Sequence, residues 1–357
     1  MTDADHDQRG APVALAEERP RRPARSRWMR WVRVLVAVGV VAGLAVVGLH
    51  GRLPTFADTR HAIATVDPRW ILVAAVLQAA SLSAFTLQQH GLLYALGARL
   101  SRRHTLAIVL ASTAMSISLP AGPAVSAAFA VRRYQRAGAA PEVAAAVMVI
   151  SGLASIGGIV AVYAGVAGWG GAGESFSWRP LIVVAALVAV LAAAISIGRR
   201  RWGSAPTAVQ ERTGTARRYA LILLNWLRSA WRAAAAVTAT TWTVALLWSV
   251  AKWVTDLLCF LAVAQAFQLP GGPATLTAVY LSVQVVRQVP LTPGGIGVVE
   301  LALAAGLTAA GAGAGSAAAA VLIYRVLSCW LIVPVGGLAG WLLVRSPGDP
   351  GVRPTDS

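Results

Sequence analysis

The chain has 357 residues, of which 57% are hydrophobic and only 13% are charged. Soluble domains carry about 25% charged residues, so this composition excludes a soluble globular protein. The formal net charge is +17, and every one of the 31 basic side chains is arginine except Lys252. Because the arginines flank apolar stretches and no soluble segment could hold a nucleic-acid-binding module, we predict an all-α integral membrane protein whose basic loops face anionic lipids, with no nucleic-acid partner.

The chain begins with a polar, basic segment, 1–31, which we predict to be a disordered cytoplasmic tail. The apolar run 34–49 lacks a small-residue cleavage site at its end, so we interpret it as a first membrane helix rather than a signal peptide. A second run, 70–96, leads back to a basic and therefore cytoplasmic loop.

The third apolar stretch, 106–131, is interrupted in its middle by a segment that contains Pro120 and Gly122. Two full crossings need about 40 residues, and both ends of the stretch are basic. We therefore expect a re-entrant hairpin whose tip is this break. Runs 141–166 and 180–197 then cross outward and back, completing an N-terminal membrane half.

The most basic loop, 199–232, separates the N-terminal half, 32–198, from a C-terminal half, 233–345. It contains eight arginines and one glutamate, which predicts a cytoplasmic position. We therefore expect both termini, including the tail 346–357, to be cytoplasmic.

A second interrupted stretch, 274–310, lies between the apolar runs 237–267 and 317–343. It is either a re-entrant hairpin or two full spans. With the first break it predicts about eight membrane segments arranged as an inverted repeat with two broken hairpins. Paired broken helices are typical of transporters, because the freed backbone groups must face protein or a wet cavity. Simple kinking by Pro and Gly is the alternative.

Five ionisable residues of the C-terminal half stand within apolar runs: Lys252, Asp256, Arg287, Glu300 and Arg325. Each charge costs at least about 2.5–3.5 kcal/mol near the bilayer centre, so each should face a cavity or a partner. Lys252 and Asp256 are one helical turn apart and are predicted to form an ion pair. Arg287 or Arg325 would clamp a lipid phosphate, and Glu300 would neutralise or gate the site. Ion pairs that merely lock helices together are the alternative.

The sequence shows no metal-ligand spacing, no cofactor motif and no combination of nucleophile and base. Both cysteines lie in apolar runs, which does not indicate a disulfide framework. We therefore expect neither a cofactor nor an enzymatic activity.

Three segments resemble the lysylphosphatidylglycerol synthase transmembrane-region (flippase-like) family: Trp253–Phe260, Pro290–Glu300 and the pair Tyr324-Arg325. The resemblance extends over residues 32–345, and the Pro-Gly-Gly-x-Gly-x-x-Glu stretch is its most specific part. In the first half, the pair Arg132-Arg133 follows the break later than the lone arginine usual in the family. The family's signature positions are occupied by Pro293, Gly294, Gly295, Gly297, Glu300 and Arg325.

The resemblance implies a bacterial inner-membrane protein that moves or accommodates phospholipid-type molecules between leaflets. Some members carry a soluble domain that aminoacylates phosphatidylglycerol. Because the chain ends at Ser357, we expect no synthase activity here.

These observations predict a lipid translocase that binds or moves an anionic phospholipid or a polyprenyl-phosphate-type lipid. The predicted lipid-binding residues are Arg287, Pro293, Gly294, Gly295, Gly297, Glu300, Arg325, Pro120, Gly122, Arg132 and Arg133. One alternative is a non-transporting membrane partner that recruits a lipid-modifying enzyme through the loop 199–232. The other is a proton-coupled porter of small solutes.

Overall fold

In a computed structural model, the protein is described for residues 56–119, 122–168, 237–287 and 292–345. All regular secondary structure in these ranges is helical. Several predicted segments lie outside the described residues: the tails 1–31 and 346–357, the runs 34–49 and 180–197, and the loop 199–232.

Five α-helices form the described part of the N-terminal half. They are α1 (Phe56–Ala64), α2 (Pro68–Ala95), α3 (Arg102–Ser118), α4 (Gly122–Arg136) and α5 (Pro141–Gly168). Local sequence signals define where α2 and α3 begin. Asp67 accepts the Arg69 N–H at 2.9 Å ahead of Pro68, and Ser101 accepts the His104 N–H at 3.3 Å.

The described part of the C-terminal half is also helical. Its elements are α6 (Ala239–Ala266), α7 (Pro273–Arg287), a 3₁₀ turn (Pro293–Gly295), α8 (Val298–Ala309), α9 (Ala314–Arg325), a π-helical turn (Val326–Trp330) and α10 (Ile332–Arg345). The π-helical turn joins α9 and α10 into one helical stretch. Single π-turns of this kind occur frequently at functional sites.

Four helical stretches of the described chain are long and apolar enough to cross a membrane: Pro68–Ala95, Pro141–Val166, Ala239–Ala266 and Ala314–Arg345. A helix of 28 residues is about 42 Å long, more than the roughly 30 Å of hydrocarbon. Large apolar side chains such as Leu72 and Leu247 point outward on these helices, as expected for contact with lipid. The prediction of a multi-pass α-helical membrane protein is therefore confirmed, whereas the number of eight segments and the inverted repeat stay predictions.

Helices α2 and α6 pack antiparallel along their length and form the centre of the bundle. The Ser81 hydroxyl donates to the Lys252 carbonyl at 3.0 Å, and the Gln88 amide donates to the Ala245 carbonyl at 3.1 Å. Such bonds between helices satisfy side chains that lipid cannot solvate. Small residues let neighbouring helices pack closely. Gly336 of α10, for example, lies against the backbone of α3.

Both predicted helix breaks are present. At the first, α3 ends at Ser118 and α4 begins at Gly122, and at the second, α7 ends at Arg287 and α8 begins at Val298. In each pair the two helices also contact one another, so each pair is a helical hairpin with the break at its turn.

Candidate functional site

The turn of the second hairpin touches the end of α3, next to the first break. Gly294 has φ +61°, and a Cβ added there would lie only 2.8 Å from the carbonyl oxygen of Ile117. A side chain is therefore excluded both by the left-handed backbone and by the neighbouring helix. The turn of the second hairpin thus packs directly on the last turn of α3.

Replacing Gly294 by alanine should destabilise the fold by about 1–3 kcal/mol, because alanine is strained at this φ and would press on Ile117. Thermal unfolding of the purified chain in detergent measures the loss. Gly337→Ala is the matched control, since an added Cβ there meets nothing within 4 Å. Equal stability of the two variants would contradict the close contact between Gly294 and α3.

Arg325 and Glu300 hold the second break together. The Arg325 Nε donates to Glu300 Oε1 at 2.5 Å, and Nη2 donates to the Gly294 carbonyl at 3.2 Å. The other Glu300 oxygen accepts the Gly297 N–H at 2.6 Å. A break within the membrane frees backbone groups that lipid cannot satisfy, and these two side chains satisfy one carbonyl and one N–H.

The contacts of Arg325 favour the alternative of an ion pair that locks helices together, and its role as a phosphate clamp stays a prediction. Its side chain is only 1% exposed and is already bound to a carboxylate and a carbonyl. Glu300 likewise binds the turn and the arginine, and its role in neutralising or gating the site stays a prediction. The signature residues therefore shape the break.

A polar cavity of about 310 Å³ lies between α2, α3, α5, α6, α7 and the π-helical turn. Its charged lining residues are Lys252, Asp256 and Arg287, and its polar ones include Gln78, Ser81, Thr113, Ser155 and Ser328. Buried oxygens of Gln78 and Ser328 have no hydrogen-bond partner within the described chain. Unsatisfied polar atoms around an open volume are typical of a site for water or a ligand.

The cavity lies at the middle of the membrane-spanning helices. Ser81 and Lys252 are each the fourteenth residue of a 28-residue helix, α2 and α6 respectively. At about 1.5 Å per residue, both are about 20 Å from either helix end, which places the cavity near the bilayer midplane.

The predicted ion pair between Lys252 and Asp256 is not formed. No salt bridge within 4.0 Å joins them, although both residues are described. The Lys252 ammonium instead stacks 3.9 Å above the Trp253 ring, with the Phe85 ring at 5.5 Å. Aromatic faces attract a cation without neutralising it, and no described group accepts a hydrogen bond from this ammonium.

Asp256 is bound by two tyrosines from other helices. Tyr280 of α7 donates its hydroxyl to Asp256 Oδ2 at 2.6 Å, and Tyr324 of α9 donates to the same oxygen at 3.1 Å. The aspartate is only 6% exposed. Sequence reasoning missed Tyr280 and named Tyr324 only as part of the family resemblance, not as a site residue. The available signal was a phenol within each of two apolar runs, since buried tyrosine hydroxyls usually find a partner.

Arg287 ends α7 and points into the cavity, where its side chain is exposed. A cation at a helix C-terminus is favoured by the helix dipole. No described residue accepts a hydrogen bond from its guanidinium. Among the described residues, the cavity therefore presents two cations without a salt bridge, Lys252 and Arg287, beside the carboxylate of Asp256, which accepts hydrogen bonds from the two tyrosines.

Other predicted site residues lie away from the cavity or outside the described chain. Gly122 is buried beside Ser116 in the first break, Arg132 is exposed, and Arg133 donates to the Leu343 carbonyl at 3.0 Å. In the second break, Pro293 begins the 3₁₀ turn, and the Gly295 N–H donates to the Thr292 carbonyl at 3.1 Å. Pro120 falls outside the described residues. None of the described arginines and glycines named here lines the cavity.

The described residues contain no group of three His, Cys, Asp or Glu side chains that could hold a metal ion. The polar groups that line the cavity in this part of the chain are two cations, one carboxylate, hydroxyls and an amide.

The sequence profile of the family described as "Lysylphosphatidylglycerol synthase TM region" matches residues 31–336. The chain belongs to this family. The resemblance drawn from the Pro-Gly-Gly-x-Gly-x-x-Glu stretch is thereby confirmed, and membership indicates a membrane protein related to lipid handling. No curated protein matches the chain.

Proposed function

We propose that this member of the family translocates an anionic lipid by passing its phosphate headgroup through the midplane cavity. The observation that carries the proposal is that Lys252 and Arg287, which have no salt bridge to any described residue, line one cavity between the membrane-spanning helices. Intramembrane charges without a protein partner are expensive and typically mark a substrate pathway.

The donors of this cavity suit a phosphate group. An ammonium carries three N–H donors and a guanidinium five, and guanidinium matches the spacing of phosphate oxygens. Both groups would replace the water that a headgroup loses on entering the membrane. Ser81 and Ser328 also line this cavity.

The size of the cavity limits what enters it. Pockets for drug-sized ligands measure about 300–1,000 Å³, so 310 Å³ accommodates a headgroup but not two acyl chains. The acyl chains would stay in the bilayer while the headgroup crosses. With the headgroup in the cavity, the acyl chains would lie against the apolar outer surface of the helices.

Reconstitution of the full chain into liposomes tests the proposal. Fluorescent phosphatidylglycerol in one leaflet should cross faster than in protein-free liposomes and faster than a zwitterionic phospholipid with the same chains. A polyprenyl phosphate in a parallel assay distinguishes the two anionic lipid classes. Equal rates for anionic and zwitterionic phospholipids, or no protein-dependent movement of either anionic lipid, would reject the proposal.

The proposed setting is the inner membrane of a bacterium, with both termini in the cytoplasm. In this arrangement the basic loop 199–232 is accessible to protease only from the cytoplasmic side. Deleting the loop should leave lipid transport intact, because the cavity residues lie elsewhere in the chain. Capture of a lipid-modifying enzyme by the full chain but not by the loop-deleted chain, with no protein-dependent lipid movement by either, would favour the recruitment alternative.

A further inference from the structure

The contacts of Asp256 with Tyr280 and Tyr324 bear on how the cavity selects an anion, an inference that rests on the proposed function of the cavity. Asp256 and Lys252 are one turn apart on α6, a spacing at which opposite charges normally pair. They do not pair here, because the aspartate bonds to Tyr280 and Tyr324 instead. The two hydroxyls explain the absence of this ion pair, because they compete with the Lys252 ammonium for the Asp256 carboxylate.

We propose that Tyr280 and Tyr324 are positioning residues that keep Lys252 available to an anionic headgroup. By donating to one oxygen of Asp256, they hold this carboxylate away from the ammonium. If Asp256 paired with Lys252, the pair would be neutral and only Arg287 would remain to attract a phosphate. The tyrosines thus set the anion preference of the cavity without lining it.

Packing fixes the positions of the Tyr280 and Tyr324 rings. Phe260 of α6 packs between them, 5.7 Å from the Tyr280 ring and 5.4 Å from the Tyr324 ring between centroids. Both tyrosines are nearly inaccessible, at 1% and 3% exposure. Because their rings are fixed by packing, phenylalanine at either position removes the hydroxyl and preserves the ring contacts.

The sequence provides an unusually direct probe. Lys252 is the only lysine of the chain, so an amine-specific reagent modifies this side chain and the N-terminal amine, which peptide mass spectrometry separates. A nearby carboxylate favours the protonated and unreactive ammonium, and a direct pair shifts that balance by about tenfold or more. The labelling rate of Lys252 therefore reports whether Asp256 has moved onto it.

The experiment compares the full-length purified chain with Tyr280→Phe/Tyr324→Phe. Labelling of Lys252 should fall about tenfold in this double variant and should return to the original rate when Asp256→Asn is added. Tyr280→Phe alone should give an intermediate rate. Unchanged labelling, or a fall that Asp256→Asn does not reverse, would overturn the proposal. So would an increase, the result expected if the variant merely unfolded and exposed the amine.

A further arm separates this inference from the proposed function. Vesicles of phosphatidylglycerol should protect Lys252 of the unmodified chain from labelling, compared with vesicles of a zwitterionic lipid. Failure of protection would reject anionic lipid binding in the cavity. The role of the tyrosine hydroxyls is judged by the variants alone, so the two failures are distinguishable.

Discussion

Replacing Arg287 by glutamine should slow transport of phosphatidylglycerol by about tenfold to hundredfold in liposomes. A hydrogen bond to a charged group contributes about 1.5–3 kcal/mol, and about 1.4 kcal/mol corresponds to a tenfold change. Lys252→Met should have an effect of the same size, and the combination should reduce transport to the protein-free level. The transbilayer rate of a fluorescent lipid measures each variant.

The matched control for this series is Arg345→Gln. Arg345 is the last residue of α10 and stacks 3.7 Å above the Trp341 ring, outside the cavity. This variant removes the same charge from the chain, and its transport should be unchanged. If Arg345→Gln slowed transport as strongly as Arg287→Gln, the rate would depend on overall charge rather than on the cavity, and the assignment would fail.

The second large effect concerns stability. Glu300→Ala should destabilise the chain by about 3 kcal/mol, because it leaves the Arg325 charge buried and unpaired and frees the Gly297 N–H. This is the lower end of the range for buried pairs, since 23% of the Glu300 side chain is accessible. Thermal unfolding in detergent measures the loss.

The double variant Glu300→Gln/Arg325→Gln is the informative comparison. It removes both charges and retains amides that can bond to the turn, so it should lose less stability than Glu300→Ala. The transport rate per folded protein should equal that of the original chain, so total transport should fall only in proportion to the fraction that is unfolded. If Glu300→Ala were as stable as the original chain but inactive, the pair would act on the lipid rather than on the turn.

These expectations show where sequence reasoning was sufficient. The breaks near Gly122 and Gly294 were predictable, because Pro and Gly interrupt helices through their own backbone properties. The contact between Glu300 and Arg325 was within reach of a depth estimate at about 1.5 Å per residue along each helix. That estimate could not reveal that the pair binds the turn. The Gly294 carbonyl lies within reach of Arg325 only because the folded turn places it there.

The partners of Lys252 and Asp256 could not be predicted in this way. Their spacing of four residues is a local property and favours an ion pair. Which partner a carboxylate takes inside a membrane depends on every donor within reach, including those on helices distant in sequence. Two phenols, from α7 and α9, reach Asp256 and displace the local lysine.

By itself, the sequence determined that this protein is helical and lies in a membrane. It also determined the positions of the helix breaks and of the charged residues within the membrane. These properties follow from hydropathy and from the backbone preferences of single residues, which act locally. The tertiary structure alone decided that Arg325 closes a turn and that Lys252 and Arg287 share a cavity at the bilayer midplane. Those outcomes depend on competition among side chains that meet only after the helices have packed.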